Sequence, residues 1–573
     1  QLTGTITENI CVRRDMELGY TQLLMLTADC NYVECDCCTC YKDGQLVSAS
    51  SSPAPAPMDI SARPNIGKGQ IIIDLNRPTK APNKNIDRDL FCIRKQIESA
   101  VLQRGATFDQ MNNDEARYLA LDWLLRKDPR ELTSDDKNLY QRYVLALIAF
   151  SFDSLAWYAC GQHHTLGADE KDVMEKCEAH NTETGQIEVH DVWLSSADEC
   201  KWYGVICSSD GVVTGLEMIG NDLVGSIPPE ISQLHFLQYL ALNGNCLYGT
   251  IPYEFGMMSN LLSLELQGNG LSGELPPELY NANKLQLLNV AMQSQHSYKC
   301  TRSNGTIANI LYAHGNEANG LLNSGLQGSI MGPRVNKWKS MKGLNIYDNS
   351  FDGSIAEEIG KLKYLRFLRS NNNLLSGKIP NAITKLTNLL YLDLGKNQLY
   401  SAIPVDIGSA QNLEELRVQE NEMFGNIPES LYDLRKLEKL WLQNTMKCDE
   451  VDSSWLCVSD SEFGFEGSLQ TEIGNLLSLS HLLINNNPLT GTLPSELGRC
   501  ENLSILHIHK TNIKGSVPWQ VCQLREKNLN NAYDAGVFYA DCLLVDETGD
   551  AFIDCDCCTD CCHHETQVCI FLD

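Results

Sequence analysis

One phrase of residues returns about every 24 positions along the middle of this chain, between residues 212 and 524. Each copy has two leucines separated by one residue, then an asparagine, a glycine, and an Ile-Pro or Leu-Pro pair. Examples are LEMIGNDLVGSIPPEISQL at 216–234 and LLINNNPLTGTLPSELGRC at 482–500. A unit this short cannot bury its own apolar side, so neighbouring units must stack to form a core. The period therefore predicts an elongated solenoid.

Each recurring residue type has a physical role in such a unit. The two leucines lie on one side of a short strand, because successive side chains of a strand point to opposite faces. The glycine permits a tight bend, and proline, which lacks an N–H, suits the bend or edge that opens the next extended stretch. The asparagine can bond backbone groups in the turn. The predicted asparagine ladder consists of Asn221, Asn245, Asn269, Asn397, Asn421 and Asn487.

The full pattern, L-x-x-L-x-L-x-x-N-x-L-x-G-x-I-P, resembles the plant-type leucine-rich repeat, and about eleven units fit it. The resemblance implies an α/β solenoid, a right-handed leucine-rich-repeat superhelix with a parallel sheet on its concave side. The motif W…C-x-W-x-G-V-x-C at 193–207 is similar to the N-terminal cap of this family. That likeness implies a Cys200–Cys207 disulfide, with Trp193 and Trp202 covering the first repeat.

Residues 87–211 are expected to form a helical N-terminal cap. One apolar face recurs at the i, i+3, i+4, i+7 and i+8 positions of a helix. Its members are Ala116, Leu119, Ala120, Trp123 and Leu124. After Pro129, residues 133–152 open with a Thr/Ser/Asp cap and continue as a second amphipathic helix. Cys160 and Cys177 could pin the segment that follows.

A cysteine-rich module occurs twice, as CDCCTC at 35–40 and as CDCCTDCC at 555–562. The sequence ADC precedes both copies, and Gly4 and Cys11 correspond to Gly515 and Cys522. We interpret both copies as disulfide-rich C-terminal caps, because so few residues cannot form a sufficient core. Matched positions predict equivalent bonds Cys11–Cys30 and Cys522–Cys542, although the pairing inside each cluster cannot be read from sequence.

The chain then divides into a cap of a preceding unit (1–43), a Ser/Pro/Ala-rich linker (44–86), the helical N-terminal cap (87–211), the repeats (212–524) and a C-terminal cap (525–573). This order resembles large extracellular leucine-rich-repeat proteins of heterokont algae such as diatoms. Residues 1–43 either close an array earlier in a longer chain or cap a neighbouring chain. Insertions near 295–322 and 446–464 are either disulfide-pinned loops, with a Cys448–Cys457 bond in the second, or binding loops.

Composition favours an extracellular protein. The 24 cysteines lack zinc-ligand spacing and indicate disulfides formed in the secretory pathway. A net charge of −28 disfavours nucleic acid and anionic lipid as partners. No apolar run has the roughly 18 residues that a membrane span requires. Asn304 and Asn502 stand in glycosylation sequons.

No catalytic motif or cofactor signature is present, and a metal at His163-His164 or His563-His564 is the weaker interpretation. We expect a non-enzymatic protein. It is either a structural subunit of a head-to-tail extracellular assembly or filament, which the doubled cap favours, or a ligand-binding ectodomain of a receptor or wall-associated protein. Partners are other protein chains, including copies of itself or a close relative, or glycans.

The outward strand positions between and after the leucines define the predicted ligand-binding face. These candidates are Glu217, Glu265, Gln267, Asn289, Arg369, Asp393, Arg417, Gln419, Trp441 and His507.

Overall fold

The structure is a computed structural model. It describes residues 4–5, 27–29, 33–34, 39–42, 45–46, 84–101, 115–154, 157–160, 176–180, 187–293, 325–443, 447–451, 454–458, 464–528, 537–542, 553–555, 557–562 and 569–571. The chain divides into two compact units, residues 1–127 with 131–140, and residues 128–130 with 141–573.

The first unit contains the helices α1 (Lys84–Val101) and α2 (Ala116–Arg126). Ala120, Trp123 and Leu124 of the predicted apolar face are buried in α2, whereas Ala116 and Leu119 are partly exposed. The next helix, α3 (Leu139–Ser151), begins later than the sequence suggested. Thr133 and Asp136 instead form successive turns, in which each carbonyl accepts from an N–H three residues ahead.

The second unit is built around one 15-stranded sheet whose strands follow chain order. The strands from β2 to β14 are parallel, and each outer strand, β1 and β15, pairs antiparallel with its neighbour. Its strands are β1 Val205–Cys207, β2 Val213–Glu217, β3 Tyr239–Ala241, β4 Ser263–Glu265, β5 Leu287–Asn289, β6 Gly343–Asn345, β7 Phe367–Arg369, β8 Tyr391–Asp393, β9 Glu415–Arg417, β10 Lys439–Trp441, β11 His481–Leu483, β12 Ile505–His507, β13 Val537–Ala540, β14 Asp560–Cys562 and β15 Cys569–Phe571.

Each repeat closes through a second short strand and a one-turn 3-10 helix on the opposite side. The short strands are Val224–Ser226, Cys246–Gly249, Gly270–Leu271, Gly273–Glu274, Leu326–Gly328, Ser350–Ser354, Leu374–Gly377, Gln398–Leu399, Phe424–Asn426, Gly464–Glu466, Thr490–Gly491, Asn512–Ile513, Gly515–Ser516 and Ile553–Asp554. The 3-10 helices are Glu199–Lys201, Pro229–Gln233, Tyr253–Met257, Pro277–Asn281, Pro333–Lys337, Glu357–Lys361, Asn381–Lys385, Ile407–Ser409, Glu429–Asp433, Thr471–Asn475 and Ser495–Arg499.

The core is a stack of inward leucines, one from each of the strands β2 to β12 of the long sheet. Leu240, Leu264 and Leu288 are opposite one another in register and fully buried. Their contacts lie between repeats as well as within them, as the short period required. The expected leucine-rich-repeat solenoid with a parallel sheet is confirmed.

Asparagines inside the turns join each repeat to the one before it. Asn245 Oδ1 accepts from the N–H groups of Asn221 and Leu223 at 2.8 and 3.1 Å. Its Nδ2 donates to the carbonyls of Met218 in the preceding repeat and Leu242 in its own, at 2.7 and 2.9 Å. One buried side chain therefore satisfies four backbone groups.

The ladder is longer than its sequence signature. Asn349 and Asn373 each accept from one N–H group and donate to a carbonyl of the preceding repeat, and Gln293 takes the position where the first insertion departs. Gln293 Oε1 accepts from Leu271 N–H at 3.0 Å and Nε2 donates to Leu266 O at 2.7 Å. A glutamine therefore replaces the asparagine without loss of the bridge.

The N-terminal end of the sheet is covered by aromatic rings around a buried arginine. Trp193 lies between Trp157 and Trp202, with ring centroids 5.2 and 5.4 Å away. Arg142 is fully buried and donates to both oxygens of Asp128 at 2.7 Å and to Glu199 at 3.1 Å. Disulfides join Cys200 to Cys207 and Cys160 to Cys177.

The C-terminal end is closed by the helix α4 (Trp519–Asn528), by β13 to β15 and by disulfides. The predicted Cys522–Cys542 bond is wrong, because Cys522 is bonded to Cys557 and Cys542 to Cys561. Since β13 and β14 are adjacent and place Ala540 opposite Cys561, the Cα atoms of Cys542 and Cys561 lie 5.0 Å apart. A third bond joins Cys555 to Cys558.

The remaining predictions concern the N-terminal module and the two insertions. Cys11, Cys30 and Asn304 lie outside the described residues. The second insertion contains an antiparallel hairpin, Lys447–Val451 with Ser454–Val458, whose register places Cys448 opposite Cys457. Near the N-terminus, the strands Gly4–Thr5, Thr27–Asp29, Val33–Glu34, Thr39–Lys42 and Gln45–Leu46 form two small sheets.

Replacing Asn245 with Ala tests the energetic role of the ladder. The loss leaves two N–H groups and the Met218 carbonyl without these partners in a buried turn, whereas Leu242 O still accepts from Asn269 Nδ2. We therefore expect the free energy of unfolding to fall by about 1–3 kcal/mol. Urea denaturation followed by circular dichroism measures the change. Asn243→Ala, two residues away and half-exposed, is the matched control and should change stability by less than about 0.5 kcal/mol. Equal effects of the two variants would contradict the ladder's importance.

Candidate ligand-binding face

The sheet of the solenoid presents two outward columns of side chains that flank the buried central leucines. Glu217 is exposed, and Glu265, Gln267, Asn289, Arg369, Asp393, Arg417, Trp441 and His507 are partly exposed. Gln419 differs, because it is 94% buried, with 6% of its surface exposed. A Cβ added to Gly395 would lie 2.3 Å from Gln419 Nε2, so the glutamine fills the space that this glycine leaves.

An aromatic pair with an arginine lies on β7 and β8. Phe367 and Tyr391 stack with centroids 5.2 Å apart and planes 17° apart. The Arg369 guanidinium lies 5.3 Å from the Tyr391 centroid. The sequence analysis did not include the two rings, which precede the central leucine rather than follow it. Their signal was present as aromatics at the same position of adjacent repeats, in RFLR and YLDL.

Next to this pair, a compact charged cluster surrounds Trp441. The Arg417 guanidinium carbon is 3.8 Å from the indole centroid, a cation–π contact worth about 0.5–2 kcal/mol. Arg417 also pairs with Glu415 and lies 3.9 Å from the Asp393 carboxylate. Lys439 lies 3.8 Å from Glu415. Burial raises the pKa of Asp393, while a hydrogen bond from Gly395 N–H and the Arg417 charge oppose this shift.

Four consecutive repeats each place a buried polar atom without a hydrogen-bond partner beside this cluster. They form what we call the acceptor row, consisting of Gln419 Oε1, Gln443 Oε1, Asn485 Oδ1 and His509 Nδ1. Trp441 Nε1 is also buried and unpartnered. Most buried polar atoms in proteins have a partner, so atoms that lack one within the chain are candidates for contact with a ligand. Neighbouring strands are about 4.8 Å apart, which sets the spacing of the row.

Histidines and a tyrosine occupy the C-terminal end of the same face. The Tyr539 ring centroid lies 4.6 Å from that of His507 and 5.9 Å from that of His509. Burial lowers the pKa of both histidines to about 4, with a further contribution to His507 from His509 and His481. Asp541 opposes the shift of His509, whereas Lys510 adds to it. Both imidazoles are therefore neutral at pH 7.

One serine–histidine pair on this face does not have the arrangement of an activated nucleophile. Ser480 Oγ and His481 Nδ1 are 2.8 Å apart. The hydroxyl of Ser480 already donates to the Glu438 carbonyl at 2.9 Å. Because a hydroxyl has one proton to donate, His481 Nδ1 donates to Ser480 Oγ while Ser480 donates to the Glu438 carbonyl.

The described residues contain no group of three or more His, Cys, Asp or Glu side chains that could hold a metal ion. Among the described helices, none is long and apolar enough to cross a bilayer. Asn502 is exposed, and its Nδ2 donates to Leu477 O at 3.2 Å. Its exposure leaves the sequon accessible.

Comparison with known proteins supports the repeat identity. The leucine-rich-repeat family profile matches residues 260–282 and 478–500. Similar solved structures include a TDR receptor (26% identity, TM-score 0.45, 57% of this chain and 48% of that chain) and the plant peptide hormone receptor RGFR1 in complex with RGF2 (28%, 0.40, 53% and 44%). A plant ice-binding protein is also similar (22%, 0.38, 57% and 82%). The chain spans less than half the length of these two receptor chains, and no curated protein sequence matches it.

The two buried histidines predict a pH-dependent stability. Their folded-state pKa of about 4 lies below the ordinary histidine pKa of 6.5, so the unfolded chain binds more protons between these two pH values. The free energy of unfolding therefore has its full value above pH 6.5 and decreases as the pH falls toward 4. Thermal melts at pH 7.0, 5.5 and 4.5 measure the loss. His507→Gln with His509→Gln should flatten the curve, and an unchanged pH profile in this double variant would contradict the assignment.

Proposed function

We propose that this chain is a non-enzymatic extracellular protein that recognises a protein partner on its concave face. The observation that supports the proposal most is the coincidence of the acceptor row with the Arg417–Trp441 cluster on neighbouring strands. Five disulfides among the described residues fit an oxidising compartment.

The chemistry of the face favours a polypeptide. Arginine and tryptophan are the residue types that most often dominate protein–protein binding energy. Trp441 Nε1 can donate to a peptide carbonyl, whereas Gln443 Oε1 and Asn485 Oδ1 can accept from a peptide N–H. Charges of both signs, from Asp393 to Lys439, give the face directional selectivity. A glycan remains the competing ligand class, and the experiment below separates the two.

Substitution of Trp441 or Arg417 with alanine tests whether this face recognises peptides. The probe is a phage-displayed library of random linear peptides selected on the intact chain. Enriched peptides should bind Trp441→Ala or Arg417→Ala at least about 30-fold more weakly, the effect of a hot-spot side chain of about 2 kcal/mol. Trp519→Ala, which removes an exposed indole on α4, is the control and should leave affinity unchanged.

Two outcomes would contradict a peptide site on this face. One is failure of the library to yield binders, combined with glycan-array binding that depends on Trp441. The other is a set of peptides whose affinity responds to Trp519→Ala but not to Trp441→Ala.

A second function, head-to-tail assembly through residues 1–43, is favoured by a separate observation. The strands near the N-terminus repeat pairings that close the array near the C-terminus. We propose that the predicted boundaries hold, with the linker at 44–86 separating this module from the N-terminal cap, the repeats and the final cap. A contact between unlike surfaces of successive chains gives filaments or rings.

Deleting residues 1–43 tests assembly. Light scattering after size-exclusion chromatography should show the intact chain as a concentration-dependent oligomer and the deletion variant as a monomer, because the contacting module is gone. Electron microscopy of the two samples distinguishes filaments from rings. Equal masses for the two proteins, whether monomeric or assembled, would rule out this function without affecting recognition on the concave face.

A further inference from the structure

The repeats that contain β6 and β7 form a basic stretch in an acidic chain. Residues 334–385 hold ten lysines and arginines against four aspartates and glutamates, a local net charge of +6, whereas the whole chain carries −28. Six of these cations lie on the segments that lead from two 3-10 helices into β6 and β7, and no acidic residue interrupts these segments. We call this set the basic edge. It consists of Lys337, Lys339, Lys342, Lys361, Lys363 and Arg366, and all six side chains are exposed.

The basic edge places like charges beside one another on adjacent repeats. Arg366 N–H donates to Lys342 O at 2.7 Å, so these two residues lie side by side. Each of the other two pairs joins lysines that occupy the same position of the two repeats, 24 residues apart. Neighbouring strands are about 4.8 Å apart, and like charges at such separations repel one another. The fold therefore concentrates positive charge here at a cost in stability.

Little of this charge is compensated by the part of the chain that the structure describes. There, Lys361 alone forms an ion pair, a 3.8 Å contact with a glutamate of its own 3-10 helix. Lys337 and Lys363 donate to neutral oxygens at 3.1 and 3.2 Å. Lys342 and Arg366 make no side-chain hydrogen bond or ion pair with any residue in the same ranges. The cations of the basic edge are therefore available to an external anion.

The same edge has the opposite charge further along the array. Glu438 N–H donates to Glu414 O at 2.7 Å, so these glutamates occupy, before β10 and β9, the position that Arg366 has before β7. On the concave face, cations are paired within the chain, as Arg417 is with Glu415. Uncompensated positive charge is thus concentrated on the approach to β6 and β7. A local patch of one sign selects a partner of the other sign.

The basic edge continues into the stacked rings of Phe367 and Tyr391. The guanidinium carbons of Arg366 and Arg369 lie 5.6 and 5.9 Å from the Phe367 ring centroid. Both rings are partly exposed. The flat C–H face of a sugar packs well on an aromatic ring, and a guanidinium forms strong charge-assisted hydrogen bonds with a carboxylate or sulfate. Cations beside exposed rings therefore suit a sugar that carries an acidic group.

We propose that the basic edge and the Phe367–Tyr391 rings bind a linear acidic polysaccharide bearing uronate or sulfate groups. The cations form an open, exposed row, which suits a polymer with many charges better than a single small anion. An acidic polypeptide would offer the charges without the sugar faces that stack on the two rings. The choice of a polysaccharide over nucleic acid rests on the extracellular location proposed above. It does not rest on peptide recognition, because Arg417 and Trp441 lie on other strands.

Binding of the intact chain to immobilised polygalacturonate and to heparin tests the proposal, with biolayer interferometry as the measurement. Both polymers should bind at about 50 mM NaCl and be released at about 500 mM, because salt screens exposed charges and weakens binding that releases counterions. Neutral dextran should not bind. Absence of binding to both acidic polymers, or binding that persists at the higher salt concentration, would overturn the proposal.

Charge neutralisation locates the site. Lys342→Gln combined with Arg366→Gln should weaken polygalacturonate binding at least about tenfold, because each cation near an anionic surface contributes to the affinity. The matched control is Arg435→Gln combined with Lys436→Gln, which removes two exposed cations from the same edge before β10 and should leave binding unchanged. Circular dichroism checks that both variants keep the fold. Equal losses in the two double variants would show a general charge effect and refute the site.

Two further measurements separate the alternatives. Trp441→Ala should leave polygalacturonate binding intact, and a loss there would place the polysaccharide on the concave face instead of the basic edge. Soluble poly-L-glutamate and double-stranded DNA serve as competitors. If either displaces the chain from polygalacturonate better than soluble polygalacturonate does, the ligand is an acidic peptide or a nucleic acid and the proposal is wrong. Failure of the peptide selection on the concave face would leave all of these outcomes unaffected.

Discussion

The structure depends on satisfying backbone groups inside turns that the solenoid buries. A turn packed between two repeats has no access to water, and an unpaired N–H or carbonyl there is costly. Asn245 meets this demand with one amide that accepts from two N–H groups and donates to carbonyls of two repeats. Because each amide spans two repeats, it sets their stacking register. The sheet, the inward leucines and the concave face all follow from that register.

The repeat made most of this fold predictable, since it specifies strand, turn and bend at fixed positions. The ladder positions Gln293 and Asn349 were missed because an insertion separates them and one of them is not asparagine. On the concave face, alternation gave the outward positions but not their burial. Gln419 is buried because its neighbour at the same position is Gly395, a contact between repeats that single-strand alternation cannot reveal. The Cys200–Cys207 pairing was predicted correctly, whereas the Cys522–Cys542 pairing was wrong because the adjacency of β13 and β14 decides the partner of Cys542.

The concave face is ordered by its own contacts before any ligand arrives. Arg417 is held between the Trp441 ring and the Glu415 carboxylate, so little side-chain entropy remains to be lost on binding. Because the charged side chains of this face pair with one another, they alone would leave few groups free to bind a partner. The acceptor row supplies such groups, because its atoms are buried yet unpaired. These atoms follow the strands that carry Arg417 and Trp441 and the next two strands. Rigid anchors beside unpaired acceptors support the polypeptide recognition that we propose for this face.

The two ends of the array are covered by caps that are stabilised by different interactions. A terminal strand exposes unpaired backbone and an apolar cross-section. At the N-terminal end, the buried Arg142 ties α3 to the loop that carries Trp193 and Trp202. The C-terminal end uses few residues and relies on covalent bonds, which constrain the unfolded chain. A disulfide-built cap has almost no core of its own, so its stability and its purpose both come from the array it covers.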